Sequence, residues 1–160
     1  MQTQLKELFE HFAHPGRIDW IGIRPVRRGA IREMEAIEVT TDKGIIGDHY
    51  SGTSGKRHIT LIQAEHLPVI ASYIDLEDVT PDLLRRNIMV SGMNLLALKD
   101  HKIRIGEAVI LQITGACHPC SRMEQNLGPG GYNAVRGHGG LTARVLQNGT
   151  IRVGDPVVVL

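Results

Sequence analysis

Cys117-His118-Pro119-Cys120 is the segment of this chain best equipped for chemistry, because it holds both cysteines the protein possesses. It follows a strand-like run from Ala108 to Thr114 and precedes a glycine-dense stretch, Gly128 to Gly140. A thiol at a strand end, beside a loop that exposes backbone amides, suits a soft or anionic ligand. Four readings follow from the spacing. A thioredoxin-like redox pair would open a long helix after the first strand of a βαβ unit, whereas this pair comes late and after β-rich sequence. Half of a structural zinc site would need two further Cys or His at local spacing, and no second C-x-x-C exists. Two small residues buried at a strand end are a common fate of free cysteine. One thiolate could instead ligate a soft metal carried in a cofactor, molybdenum in a sulfur-rich setting being such a case.

The neighbours of the pair extend the last reading. A short helix over Ser121 to Asn126 would put Cys120 at its N-terminal end, where the dipole and the Arg122 guanidinium would favour thiolate. Gly128-Pro129-Gly130-Gly131 and Gly137-His138-Gly139-Gly140 bracket a segment ending in Arg136. Glycines of this density either aim amides at an anion or simply turn the chain between strands. Gly47-Asp48-His49 and Arg57-His58 flank a Gly/Ser-rich loop, where Asp48, His49 or His58 could relay a proton. Arg85-Arg86-Asn87 falls at a helix-to-strand junction and reads either as a charged helix end or as a phosphate grip.

The positioning elements read as mainly β. Leu5, Leu8, Phe9 and Phe12 form one stripe on an N-terminal helix that His14-Pro15-Gly16 ends. Beyond Arg17, strands are expected at Asp19 to Pro25, Ala36 to Thr40, Arg57 to Ile62 and Asn87 to Ser91, with a turn at Asp42-Lys43-Gly44. Gln63 to Tyr73 is a helix candidate, and Thr80-Pro81 predicts a second helix to Arg85 or Arg86. Ile103 to Leu111 and Ile151 to Val159 echo each other as strand, Gly-acid turn, strand, each expected to be a tight hairpin. Asn148-Gly149 predicts a further hairpin. The fold class expected is a closed or nearly closed β-barrel with a few peripheral helices, organised as one domain: 1–16 a helical extension, 17–160 the barrel.

Composition excludes several roles. A net charge of +1 gives no case for nucleic acid or anionic membrane, and basic residues are not interleaved with aromatics for base stacking. No apolar run approaches the roughly eighteen residues that span a bilayer. Met1 to Phe12 has no apolar signal core, so a cytoplasmic location with reduced thiols is expected.

Taken in order, several segments resemble the MOSC domain, the family of the C-terminal domain of molybdenum cofactor sulfurase. They are Gly44–His49, Arg57–Ile62, Leu84–Gly92, the Ile105–Ala108 turn, Cys117–Met123 and Gly149–Asp155, spread over residues 17 to 160. The resemblance, to the small stand-alone bacterial type, implies a β-barrel that binds the molybdenum cofactor, a pterin dithiolene with a terminal phosphate. It implies Cys120 as the metal ligand, from its Pro-Cys-x-Arg context, and Arg85 and Asn87 as cofactor contacts. Arg122, Gly130, Gly131 and Arg136 are further candidates for gripping the cofactor. Relatives reduce N-hydroxylated compounds, which implies a molybdenum-dependent oxidoreductase with a small N-hydroxylated substrate and an external electron-donor protein. The longer N-terminal domain of the amidoxime-reducing branch is missing, which leaves enclosure of the cofactor to a second subunit, a homodimer included. Nothing resembles the pyridoxal-phosphate domain of fused sulfurases, so no pyridoxal phosphate is expected. An alternative is a sulfur carrier, or a module for assembling metal–sulfur clusters or the molybdenum cofactor, with a Cys120 persulfide and Cys117 as resolving thiol.

Overall fold

Alternation of buried and exposed residues with period two, expected of half-buried strands, recurs along most of the chain in the computed structural model, which describes residues 2–49 and 54–160. In order the elements are α1 (Gln2–Leu8), β1 (Gly16–Ile23), β2 (Arg32–Glu33), β3 (Ala36–Thr40), β4 (Gly44–Ile45), β5 (Ile59–Gln63), α2 (His66–Ser72) and β6 (Ile88–Ser91). A 3-10 turn at Leu95–Leu98 leads to β7 (Lys102–Ile105), β8 (Val109–Ala116), α3 (Ser121–Leu127), α4 (Gly131–Val135), β9 (Leu141–Gln147), β10 (Gly149–Arg152) and β11 (Pro156–Val159).

Seven strands close on themselves in the order β11-β7-β8-β9-β5-β6-β1, with β1 returning to β11 and β2 as an outrigger of β1. The fold is thus a closed β-barrel with four helices, as the turn-rich pattern predicts. All pairings in the ring are antiparallel except β5–β6, whose parallel register is bridged by α2 as a crossover. Pro68 is the third residue of α2, where a helix needs no amide hydrogen bond from it. A smaller sheet, β10-β3-β4, adds Ile37, Val39, Ile45 and Ile151 to the barrel core.

The barrel lumen is solid. Ile18, Ile21, Ile59, Leu61, Leu111 and Val157 are fully buried in one apolar cluster. Ligand chemistry therefore has to take place outside the ring. A second cluster, with Ile62, Met123, Leu127 and Val135, packs α2, α3 and α4 on the outer face of β5. Residues of even number on β5, β8 and β9 turn outward, so Thr60, Thr114 and Thr142 share that outer face with the helices.

Four local expectations are corrected. The Thr80-Pro81 segment forms turns, not a helix: Leu83 and Arg85 donate three residues back, to Thr80 and Asp82, and Arg85 then takes a φ of 56°. So short a helix has little to offset its nucleation cost. The second Gly-acid echo is no hairpin, because β10 pairs with β3 while β11 pairs with β7 and β1. The Asn148-Gly149 pair does not join β9 to β10 as a hairpin either; Asn148 Oδ1 accepts from the Thr41 amide at 2.8 Å and draws β10 to β3. The N-terminal helix stops at Leu8, so its expected stripe is split: Leu5, Leu8 and Phe9 are exposed, while Phe12 packs on the core and edge-on against His101 at 5.6 Å.

Candidate functional site

The C-terminal end of β8 carries the cysteine segment across the outer face of the barrel. A bulge between Ile113 and Gly115 sets two residues of β8 against one of β9, a device that re-aims side chains beside functional sites. Here it sends the Thr114 hydroxyl to the Lys56 carbonyl and to within 2.7 Å of Thr142 Oγ1. The chain then passes Cys117, whose amide bonds the Gly140 carbonyl, and reaches Cys120, the residue that caps the start of α3. The helix expected at Ser121 is present. The two thiols differ: Cys117 is 3% exposed, with Arg57 Nη2 at 3.9 Å from its Sγ, whereas Cys120 is exposed.

Cys120 lies on a cleft of about 800 Å³ between this segment, the β1–β2 loop and the approach to β5. Four sequence-distant segments supply cations to its wall. The β1–β2 loop contributes Arg24, Arg27 and Arg28; the approach to β5 gives Lys56 and Arg57; the pre-β6 turn and α3 bring Arg85, Arg86 and Arg122. His49 and His118 also line it, and among the described residues no Asp or Glu does. Among the described residues the salt bridges are Arg17–Asp19 and His101–Glu10, both elsewhere, so none of these eight cations is ion-paired. Like charges gathered without a counter-charge repel, and the arrangement is sustained only by the rest of the fold or by an anion.

Two of the three described non-glycine residues with positive φ, Arg28 (60°) and Arg85 (56°), lie on this wall. That conformation costs free energy and tends to collect at binding sites. Arg85 Nη2 donates at 2.9 Å to the carbonyl of Gly29, the residue after Arg28. Burial, and then the neighbouring Arg122 and Arg24 guanidiniums, lower the Arg85 pKa from the ordinary arginine value, with Cys120 opposing. Arg24 Nε is buried with no hydrogen-bond partner, although the residue borders the cleft.

Part of this wall and the layer behind it form a scaffold. Arg86 is 6% exposed and donates to the carbonyls of Gly139, Leu84 and Cys117, fastening the cysteine segment and the 137–140 loop to the barrel. Burial lowers its pKa first; Cys117 and Cys120 oppose. Asn87 is fully engaged inside: Oδ1 accepts from the Thr60 amide and hydroxyl at 3.0 and 3.1 Å, and Nδ2 donates to the Gly22 carbonyl at 3.2 Å.

The expected site residues therefore separate. Cys120, Arg122, Arg85 and His49 meet on the cleft, whereas Asn87 stands one layer behind Thr60. Asp48 Oδ1 accepts from the Arg24 amide at 2.7 Å and so shapes the β1–β2 loop without lining the cleft. His58 is buried, its Nδ1 accepting from the Val145 amide at 3.1 Å, and it too lies off the cleft wall. Gly130 caps α4 and Gly131 opens it; there the Glu124 carboxylate accepts from the Gly130 and Tyr132 amides and Gly131 packs against the Met123 carbonyl and Leu127. Arg136 is exposed, at 3.4 Å from Asn133 Oδ1. Sequence reasoning missed Arg24, Arg27, Arg28, Lys56 and Arg57 as site residues; their local signals are the basic run Arg24-Pro25-Val26-Arg27-Arg28 and the pair Lys56-Arg57.

A closed barrel with an exposed cysteine on an outer cationic cleft defines a class that comparison with known proteins identifies. The MOSC domain family matches residues 42–158, and the chain belongs to that family, which is associated with the molybdenum cofactor. The YuaD protein of Bacillus subtilis is similar in structure, with a TM-score of 0.79 at 20% identity, over 91% of this chain and 95% of that one. YiiM of Geobacillus stearothermophilus follows at 0.70 and 19%, over 91% and 75%. YiiM of Escherichia coli aligns at 0.69 and 16%, over 90% and 69%. At these identities the likeness is one of fold. No curated protein matches the chain in sequence. No helix among the described residues is long and apolar enough to cross a membrane.

Proposed function

We propose that the protein binds the molybdenum cofactor in the cationic cleft and reduces N-hydroxylated compounds there. The observation that carries the reading is the exposed Cys120 thiol on a wall of unpaired guanidiniums with no carboxylate. The residues fit the group: a thiolate is a suitable ligand for a soft metal, and the buried, unpartnered Arg24 Nε calls for an acceptor such as a phosphate oxygen. When bound, the cofactor supplies the metal centre that passes an electron pair to the substrate.

The chain's own contribution is binding, orientation and proton supply. Cys120 Sγ would be the metal ligand, and Arg85 and Arg122 would hold the cofactor's phosphate. Conversion of an N–OH group to N–H breaks the N–O bond, takes up two electrons and two protons, and releases water. The electrons come from an external donor protein. His49 and His118 are the imidazoles that border the cleft, and they are the candidates to hand protons to the substrate. A sulfur-carrier role would need Cys117 as a resolving thiol, and its burial beside Arg57 weighs against that.

Molybdenum content tests the reading. Protein from a cofactor-competent host is expected to carry the metal as wild type and as Cys117→Ala, and to lose it as Cys120→Ala. Equal molybdenum in Cys120→Ala removes the ligand assignment. Metal-loaded wild type that reduces no hydroxylamine with an artificial electron donor removes the reductase.

A further inference from the structure

The cleft holds more positive charge than one terminal phosphate needs. A phosphate monoester carries about two negative charges, and its three oxygens are saturated by two or three guanidiniums. Arg122, Arg24 and Cys120 all lie close enough to Arg85 to influence its charge. Lys56 and Arg57 come from a different segment, the approach to β5, and Arg57 Nη2 lies 3.9 Å from Cys117 Sγ.

The Lys56–Arg57 wall is also firmly mounted. The Lys56 carbonyl accepts from Thr114 at the β8 bulge, and the Ser54 carbonyl accepts from Arg144 Nη2 at 2.9 Å. Both side chains remain exposed and without a carboxylate partner. Two cations on an anchored backbone facing a cleft, beyond those the first anion would consume, mark a second anion subsite.

We infer that the cleft accepts two anionic groups at once, the cofactor phosphate on the Arg85–Arg122 side and a phosphate ester borne by the N-hydroxylated substrate on the Lys56–Arg57 side. The inference rests on the reading above for the first of these groups. The substrate class is then a phosphorylated N-hydroxylated compound, such as a nucleotide, in preference to the neutral nucleoside or free base.

Calorimetric titration without reductant tests this on molybdenum-loaded protein, with N-hydroxycytidine 5′-monophosphate, N-hydroxycytidine and inorganic phosphate as probes. The monophosphate is expected to bind at least ten-fold more tightly than the nucleoside and than inorganic phosphate. Lys56→Gln/Arg57→Gln is expected to abolish that ratio at unchanged molybdenum content, and Lys56→Gln alone, at an exposed position, to reduce it. Arg122→Gln is expected to lower molybdenum content instead. Equal affinity for monophosphate and nucleoside overturns the inference, as does inorganic phosphate binding as well as the ester, or a ratio that survives Lys56→Gln/Arg57→Gln in folded protein. Wild type that carries no molybdenum yet keeps the ten-fold preference, lost in Lys56→Gln/Arg57→Gln, would sink the cofactor reading and leave the phosphate subsite standing.

Discussion

Arg85, Arg86 and Asn87 are consecutive, yet only the first presents its charge to the cleft with donors to spare. Arg86 and Asn87 spend their side chains on backbone carbonyls and on Thr60. Asn87→Ala is expected to lose about 3 kcal/mol of unfolding free energy in urea, because it strands the buried Thr60 amide and Gly22 carbonyl. Arg85→Gln is expected to change that stability by less than about 1 kcal/mol while weakening phosphate binding. Type and spacing alone could not separate these roles, because Arg-x-Asn reads identically whether the asparagine meets a ligand or a neighbouring strand. Cys120 differs in this respect: a cysteine before a short helix signals its own place, and the structure gives it that place. His58 shows the opposite outcome. Placed beside a glycine-rich loop it looks catalytic, but its ring nitrogen is an acceptor within the fold.

At the scale of elements, what was legible was whatever local sequence controls. The Ala36–Thr40 strand, the 42–44 turn, the β7–β8 hairpin and α3 all form as expected, since each is specified by residues within or next to it. The misreadings arise where a distant partner prevails. Asn148 is a good hairpin residue until Thr41 offers its amide, and the strand after it then joins another sheet. In the glycine-dense 128–140 stretch, Gly131, Gly139 and Gly140 serve close approach, whereas Gly128, Gly130 and Gly137 serve positive φ. Gly140 has a φ of 86°, and a Cβ there would lie 1.8 Å from the Leu61 carbonyl oxygen; Gly137 has a φ of 82° but open space around it. Gly137→Ala should therefore cost about 1–2 kcal/mol of stability, the strain of the left-handed conformation. Gly140→Ala should cost about 4 kcal/mol or more, or prevent folding, since the clash is with backbone. Equal melting temperatures for the two variants would contradict this.

For the molecule as a whole, closure of the barrel fills its interior and displaces function to an outer face, where strands β8, β9 and β5 meet the helices. The class of fold was readable from turn spacing; the cleft was not, because its cations come from segments scattered between Arg24 and Arg122 and meet only after closure. Stability should also fall in acid. Burial, and then Arg144, lower the His58 pKa; burial, and then His138, lower that of His66, against the opposing Glu65. A histidine held below its unfolded value of about 6.5 binds its proton more readily once unfolded. Its stabilising contribution is complete above that pH and is lost as pH falls through the lower, folded value. Melting temperature is expected to decline on going from pH 7.5 toward about pH 5, less so in His58→Gln once its lower starting stability is allowed for.

The near-neutral formula charge conceals a lopsided distribution. Eight of the eighteen lysines and arginines border a single hollow, which leaves ten to set against seventeen acids, a net of about seven negative charges on everything else. Such a body carries a permanent electric moment directed out through the hollow. A negatively charged molecule drifting nearby meets a torque that turns the opening toward it before contact, and it is repelled from the far side. Encounter rates should consequently fall steeply with added salt, a signature readable by stopped flow well before any complex is solved.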